Sequence, residues 1–121
     1  MAHPVVWLEL TVEDDVKDTD FYPKALGWTI KRDEPARYTM FAAEGGPGGG
    51  FNTADMEDIS TGDLIVYIET DDIDATLAKI EANGGKVVKP KKEIPSVGWF
   101  AYFTDPTGNR LATIQWMPRE A

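Results

Sequence analysis

The stretch VVWLELTVEDD, Val5 to Asp15, is written a second time in altered letters as LIVYIETDDID, Leu64 to Asp74. Setting Asp14 over Asp72 gives an offset of 72 − 14 = 58 residues, which also pairs Trp7 with Ile65, Glu9 with Tyr67 and Gly27 with Gly85. That offset is close to half of the 121-residue chain. The period is too long and the copies too few for a solenoid, so the repeat reads as a pair of pseudo-symmetric modules.

Within the first copy Val6, Leu8, Leu10 and Val12 alternate with Trp7, Glu9, Thr11 and Glu13. This period of two marks a strand with one apolar face. The second copy repeats it, with Leu64, Val66 and Ile68 against Ile65, Tyr67, Glu69 and Asp71. After the second strand Asp72 is a good N-cap, and Ile73, Leu77 and Ile80 recur at i, i+4 and i+7 before Gly84 and Gly85 stop the helix. The matching first segment, DVKDTDFYPKALG, starts at Asp15 as a cap and ends at Gly27. Pro23 falls inside it, and a proline in a helix interior costs about 3 kcal/mol through a lost hydrogen bond and a crowded preceding turn. A kinked or two-part helix is expected there.

Three strand-like runs follow each helix: GWTIKR, RYTMFAAE and GGGFNT in the first half, KVVKPKKEI, GWFAYFT and RLATIQWM in the second. Turn signals separate them at Asp33 to Pro35, Gly45 to Gly48, Pro95 to Gly98 and Asp105 to Asn109. Each half therefore reads βαβββ, with module 1 over 1–53, a polar acidic linker over 54–62 and module 2 over 63–121, together one α+β domain. A lone βαβββ unit has one bare sheet face once its helix covers the other. Two such units are expected to form a cupped mixed sheet around a cavity, helices outside. The face of Trp7, Glu9, Ile65, Tyr67 and Glu69 would line that cavity.

Composition narrows the classes of function. With 42% hydrophobic and 27% charged residues the chain has the makeup of a globular protein. No window of about 18 apolar residues exists, and MAHPVV shows neither a basic region nor an apolar signal core, so a soluble cytoplasmic protein is expected without a membrane partner. The absence of Cys excludes disulfides, thiolate ligands and cysteine nucleophiles. A net charge of −9 repels nucleic acid at long range.

The pieces FYPKALGW at Phe21 to Trp28, GGPGGGF at Gly45 to Phe51, YIETDDIDATLAKIEANGGKVV at Tyr67 to Val88 and GWFAYFTDPTGNRL at Gly98 to Leu111, in this order, resemble the vicinal oxygen chelate superfamily. This is the group of glyoxalases, bleomycin-resistance proteins and extradiol dioxygenases. The resemblance covers nearly the whole chain, and Phe-x-Asp-Pro-x-Gly-Asn is its most specific core. It implies paired βαβββ modules and a homodimer. In metal-dependent members it implies four His, Glu or Gln ligands on equivalent strands, holding a divalent ion that stabilises an enolate or alkoxide.

At those ligand positions this sequence has Trp7, Ile65, Ala112 and a residue near Gly50, none of which coordinates a metal. The lone histidine, His3, lies close to the start of the sequence. No cofactor is therefore expected, and a divalent metal would need non-standard ligands. Glu9 is the candidate catalytic base, weighed against a carboxylate at the rim or paired with an Arg such as Arg110. The candidate ligand-binding residues are Trp7, Asn52, Ile65, Tyr67, Glu69, Tyr102, Arg110 and Trp116. If the last strand were shifted by one residue, Gln115 would be its only credible oxygen ligand. The glycine run Gly45 to Gly50 lacks the Lys-Ser/Thr of a phosphate loop and reads as a hairpin lip. Lys86 to Lys92 reads as a charged strand edge.

Three functions fit this reading. The first is binding of a small organic molecule in the cavity, with the metal site lost. A glyoxalase-like lyase or isomerase acting on a small carbonyl compound, with Glu9 as base, is the alternative. A non-catalytic dimeric interaction module is the third.

Overall fold

The computed structural model describes residues 2–12, 15–33, 38–53 and 62–118. The elements run β1 (Val5–Val12), α1 (Asp15–Leu26), β2 (Thr29–Asp33), β3 (Tyr38–Ala42), β4 (Gly49–Thr53), β5 (Leu64–Glu69), α2 (Ile73–Ala82), β6 (Lys86–Ile94), β7 (Gly98–Thr104) and β8 (Arg110–Trp116). This is βαβββ written twice, an α+β fold with mixed sheet, as the repeat predicts. The chain divides into two compact units, Val6–Ile65 and Val66–Ala121 together with Met1–Val5. Glu13 and Asp14, the Glu34 and Pro35 of the first turn, and all of the 54–62 linker except Gly62 lie outside the described residues.

In the first unit the strands lie in the order β2-β3-β4-β1, with β1 and β4 parallel and the other pairs antiparallel. In the second the order is β5-β8-β7-β6, with β5 and β8 parallel. The registers repeat as well. Glu9 lies opposite Gly50, and Tyr67 lies opposite Ala112. The offset between Glu9 and Tyr67 is 67 − 9 = 58, so Gly50 is the true counterpart of Ala112.

Alternation on β1 sorts its side chains onto two faces. Leu8 and Leu10 pack against a core of Val12, Phe41 and Phe51, joined by Tyr22, Trp28 and Ile30. The aromatic rings are layered: Tyr22 stacks on Trp28 at 4.5 Å and Trp28 on Phe41 at 4.4 Å between centroids. Burying each such side chain contributes about 1.5–3 kcal/mol. Gly27, with φ 73, makes the left-handed turn that carries Trp28 back over this layer.

Of the expectations for α1, the two-part helix and the Asp15 cap are corrected. The helix is a single element from Asp15 to Leu26, with Pro23 inside it. Tyr22 is held in the aromatic layer immediately before the proline and the Gly27 N–H bonds the Pro23 carbonyl at 3.0 Å, so the last turn closes without the proline's own N–H. Asp15 is the first helical residue rather than the cap.

Helix α2 starts as the sequence predicts. Asp72 takes an extended conformation and its carboxylate accepts from the Ala75 N–H. A second acceptor comes from across the unit: Gln115 Oε1 receives the Ile73 N–H at 2.8 Å. Ile73 itself is fully buried. Strand β6 ends the order of its unit, carries Pro90 and shows irregular register between Val87 and Lys92, as suits a protected edge. Among the described residues no helix is long and apolar enough to cross a membrane.

Candidate functional site: a carboxylate and two aromatics over a glycine floor

The face of β1 turned away from the aromatic core carries Trp7, Glu9 and Thr11. Its cross-strand partners on β4 are Gly50 opposite Glu9 and Asn52 opposite Thr11, and β3 adds Met40 opposite Gly50 and Tyr38 two residues along. One face of the first unit is thus polar around a glycine. Glu9 is 8% exposed, and burial of a carboxylate in this degree demands hydrogen-bonding partners. The Tyr38 hydroxyl donates to Glu9 Oε2 at 2.7 Å and accepts from the Trp7 indole N–H at 3.2 Å.

Gly50 is what makes room for this chain of bonds. A Cβ at position 50 would overlap the phenol of Tyr38, so the tyrosine lies directly on the glycine. A Cβ on neighbouring Gly48 would come within 3.4 Å of the Trp7 ring. The glycine run therefore forms the floor of a site built by β1 and β3. It joins antiparallel β3 and β4 and precedes a strand, in keeping with a hairpin and not a phosphate loop.

Thr11 and Asn52 end the polar row. The Thr11 Oγ1 and Asn52 Nδ2 atoms are buried without a hydrogen-bond partner. Thr11 is 3% exposed, so its hydroxyl has no recourse to bulk water.

The candidates in the second unit occupy the matching face of its sheet. Lys89, Tyr102, Ala112 and Tyr67 form one cross-strand row over β6, β7, β8 and β5. Tyr67 and Tyr102 are buried, and Lys89 Nζ lies over the Tyr102 and Phe100 rings at 5.7 and 5.5 Å. Glu69 receives the Trp116 indole N–H and, through its carbonyl, meets His3 Nδ1 at 3.1 Å. Trp116 is 41% exposed. Arg110 is half-buried on the same face. Ile65, the last residue of the first unit, is almost wholly buried.

The register of β8 is settled by these pairings. Arg110, Ala112, Ile114 and Trp116 share the face of Tyr67, while Thr113 and Gln115 face the other way. Gln115 spends its side-chain oxygen on the start of α2, so the shifted register that would make it a ligand does not occur. The reason is that an unbonded N–H at a buried helix start is costly, and Gln115 supplies the acceptor.

The residues at the four ligand positions offer a divalent metal no donor. Trp7 has an indole N–H without a usable lone pair, Gly50 has no side chain, and Ile65 and Ala112 have only hydrocarbon. The space a ligand at position 50 would enter is filled by Tyr38. Among the described residues no three His, Cys, Asp or Glu side chains gather as a metal-binding group. The residues do not fit the metal.

Tyr38 is the residue of this candidate site that sequence reading missed. The available signal was the parity of β3: Phe41 belongs to the apolar side, which sends Tyr38 and Met40 to the face of Glu9. The Asp105 turn, by contrast, proves structural. Its carboxylate accepts from the Thr107 and Asn109 backbone N–H groups, the Thr107 hydroxyl and the Asn109 amide, while Gly108 takes φ 100.

The sequence profile of the Glyoxalase/Bleomycin resistance protein/Dioxygenase superfamily matches residues 4–113. The chain belongs to this superfamily. Among its superfamily relatives is a Mycobacterium tuberculosis protein named "Putative glyoxylase CFP32", 32% identical over 119 residues, covering 96% of this chain and 45% of that protein. The "Anthracycline biosynthesis protein DnrV" of Streptomyces peucetius is 29% identical over 128 residues, covering 88% of this chain and 44% of its own length. The chain thus spans less than half the length of these curated relatives. A superfamily member of known structure from Vibrio splendidus 12B01 has the same fold, with a TM-score of 0.66 at 15% identity over 93% of this chain and 98% of that one.

Proposed function

We propose that this superfamily member binds a small organic molecule on the Trp7, Glu9 and Tyr38 face without the divalent metal of its metal-dependent relatives. The observation that carries the reading is Tyr38 lying on Gly50, where its hydroxyl joins Glu9 and Trp7 in the place a metal ligand would need. Glu9 and Tyr38 supply polar recognition, and Trp7 supplies an aromatic wall.

The test combines metal content with binding. Protein purified without chelator is assayed for metal per chain, before and after dialysis against Mn²⁺, Ni²⁺ and Zn²⁺. A small-molecule library is then screened by tryptophan fluorescence with and without EDTA, beside Trp7→Phe. Binding that ignores EDTA and loses its fluorescence signal in Trp7→Phe is expected. One tightly held ion per chain, or binding that appears only with metal, would overturn the reading.

A second reading draws on the buried carboxylate. Glu9 as a general base would make the chain a glyoxalase-like lyase or isomerase for a small carbonyl compound, in keeping with the printed name of CFP32. Turnover of such a compound that is abolished in Glu9→Gln, with binding retained, would establish it.

A further inference from the structure

The Thr11 hydroxyl and Asn52 Nδ2 are cross-strand partners on the face of Glu9, and neither is bonded to any described group. Leaving a buried polar atom unpaired is costly, so such atoms mark either a defect or a place for a partner from outside the chain. Neighbouring strands lie about 4.8 Å apart, close enough for both groups to reach one acceptor oxygen. Two residues back along β1, roughly 6.6–6.8 Å away by strand geometry, stands the Glu9 carboxylate, an acceptor.

From this arrangement we infer that the site takes an uncharged aromatic amide or ketone bearing a hydroxyl, its carbonyl oxygen held by Thr11 and Asn52 and its hydroxyl donating to Glu9. The inference rests on the small-molecule reading above and names the ligand class for the same face. Each end of the ligand meets a complementary group: donors from Thr11 and Asn52 for the carbonyl, the carboxylate for the hydroxyl. The span between them selects for a ring-sized separation, and Trp7, one position beyond Glu9 on the same face, offers a ring to lie beside.

The probe is 4-hydroxybenzamide, whose phenol and amide oxygens are separated by about that span. Its affinity, read by ligand-observed NMR, is compared with those of 4-methoxybenzamide, which lacks the phenolic donor, and 4-methylphenol, which lacks the carbonyl acceptor. Each truncated probe is expected to bind roughly 5- to 10-fold more weakly. In Asn52→Leu the amide should lose its advantage over 4-methylphenol while keeping its advantage over 4-methoxybenzamide. Thr11→Val should raise the melting temperature of the free protein, because an isosteric methyl replaces an unpaired buried hydroxyl.

Equal affinity of the wild-type protein for all three probes would overturn the ligand class and leave small-molecule binding standing. No binding of any probe by the wild-type protein overturns the inference too, and if the library screen also finds no ligand, both readings fall together. A lower melting temperature in Thr11→Val, with amide binding undiminished, would mean that the two donors hold a water, and would overturn the inference as well.

Discussion

Tyr38 rests its phenol on Gly50, in the volume that any side chain at position 50 would fill, and from there bonds both Glu9 and Trp7. The absence of one Cβ thus determines what the face of the first unit is made of. A larger residue at 50 and the Tyr38 contact exclude each other.

Gly50→Ala should therefore destabilise the protein by about 1–3 kcal/mol, the usual range for overpacking a closed site. In a Tyr38→Ala background the same substitution should be nearly neutral, since the obstacle is gone. A double-mutant cycle by chemical denaturation checks this; additive effects would mean the phenol is free to swing away.

Tyr38→Phe keeps the ring and removes only the oxygen that joins Trp7 to Glu9. A loss of about 1–3 kcal/mol is expected, as for a buried hydrogen bond to a charged group. Because the Trp7 indole N–H loses its acceptor, the tryptophan emission should shift as well. An unchanged spectrum and stability would remove Tyr38 from the site.

Gln115→Met should loosen the start of α2. Its oxygen accepts the Ile73 N–H at 2.8 Å, and a thioether of similar length is a weak acceptor. About 1–2 kcal/mol of stability should be lost, with faster hydrogen exchange at the Ile73 amide than in wild type. Exchange that speeds up uniformly through the unit, with none of it localised to the first turn of α2, would contradict the assignment.

The Asp105 turn predicts a pH dependence. The Asn109 side-chain amide first, then the Asn109 and Thr107 backbone N–H groups, hold the Asp105 carboxyl below its ordinary value. A group depressed in the folded state contributes stability above its unfolded pKa and loses it as pH falls through the folded one. Asp105→Asn should therefore be less stable than wild type at neutral pH, with the gap narrowing below the usual aspartate range. Melting curves of both proteins from neutral to acid pH make the comparison, and a gap constant with pH would refute it.

The sequence by itself determined the elements and their repetition. Alternation at Val6 to Val12, the cap at Asp72 and the turn at Asp105 are local, short-range consequences of backbone geometry, so they are written in consecutive letters. The match of Gly50 with Ala112 departs from the 58-residue offset, since 112 − 50 = 62, and it came from the strand registers. Only the tertiary structure decided what stands on Gly50, because Tyr38 and Glu9 are 29 residues apart and meet through the β3–β4–β1 register, which no local pattern specifies. The role of Gln115 was hidden for the same reason, its partner Ile73 being 42 residues away. Pro23 failed as a helix breaker because the aromatic layer around Tyr22 outweighs a local propensity. Local physics wrote the strands and turns, and packing between distant segments chose which side chains meet.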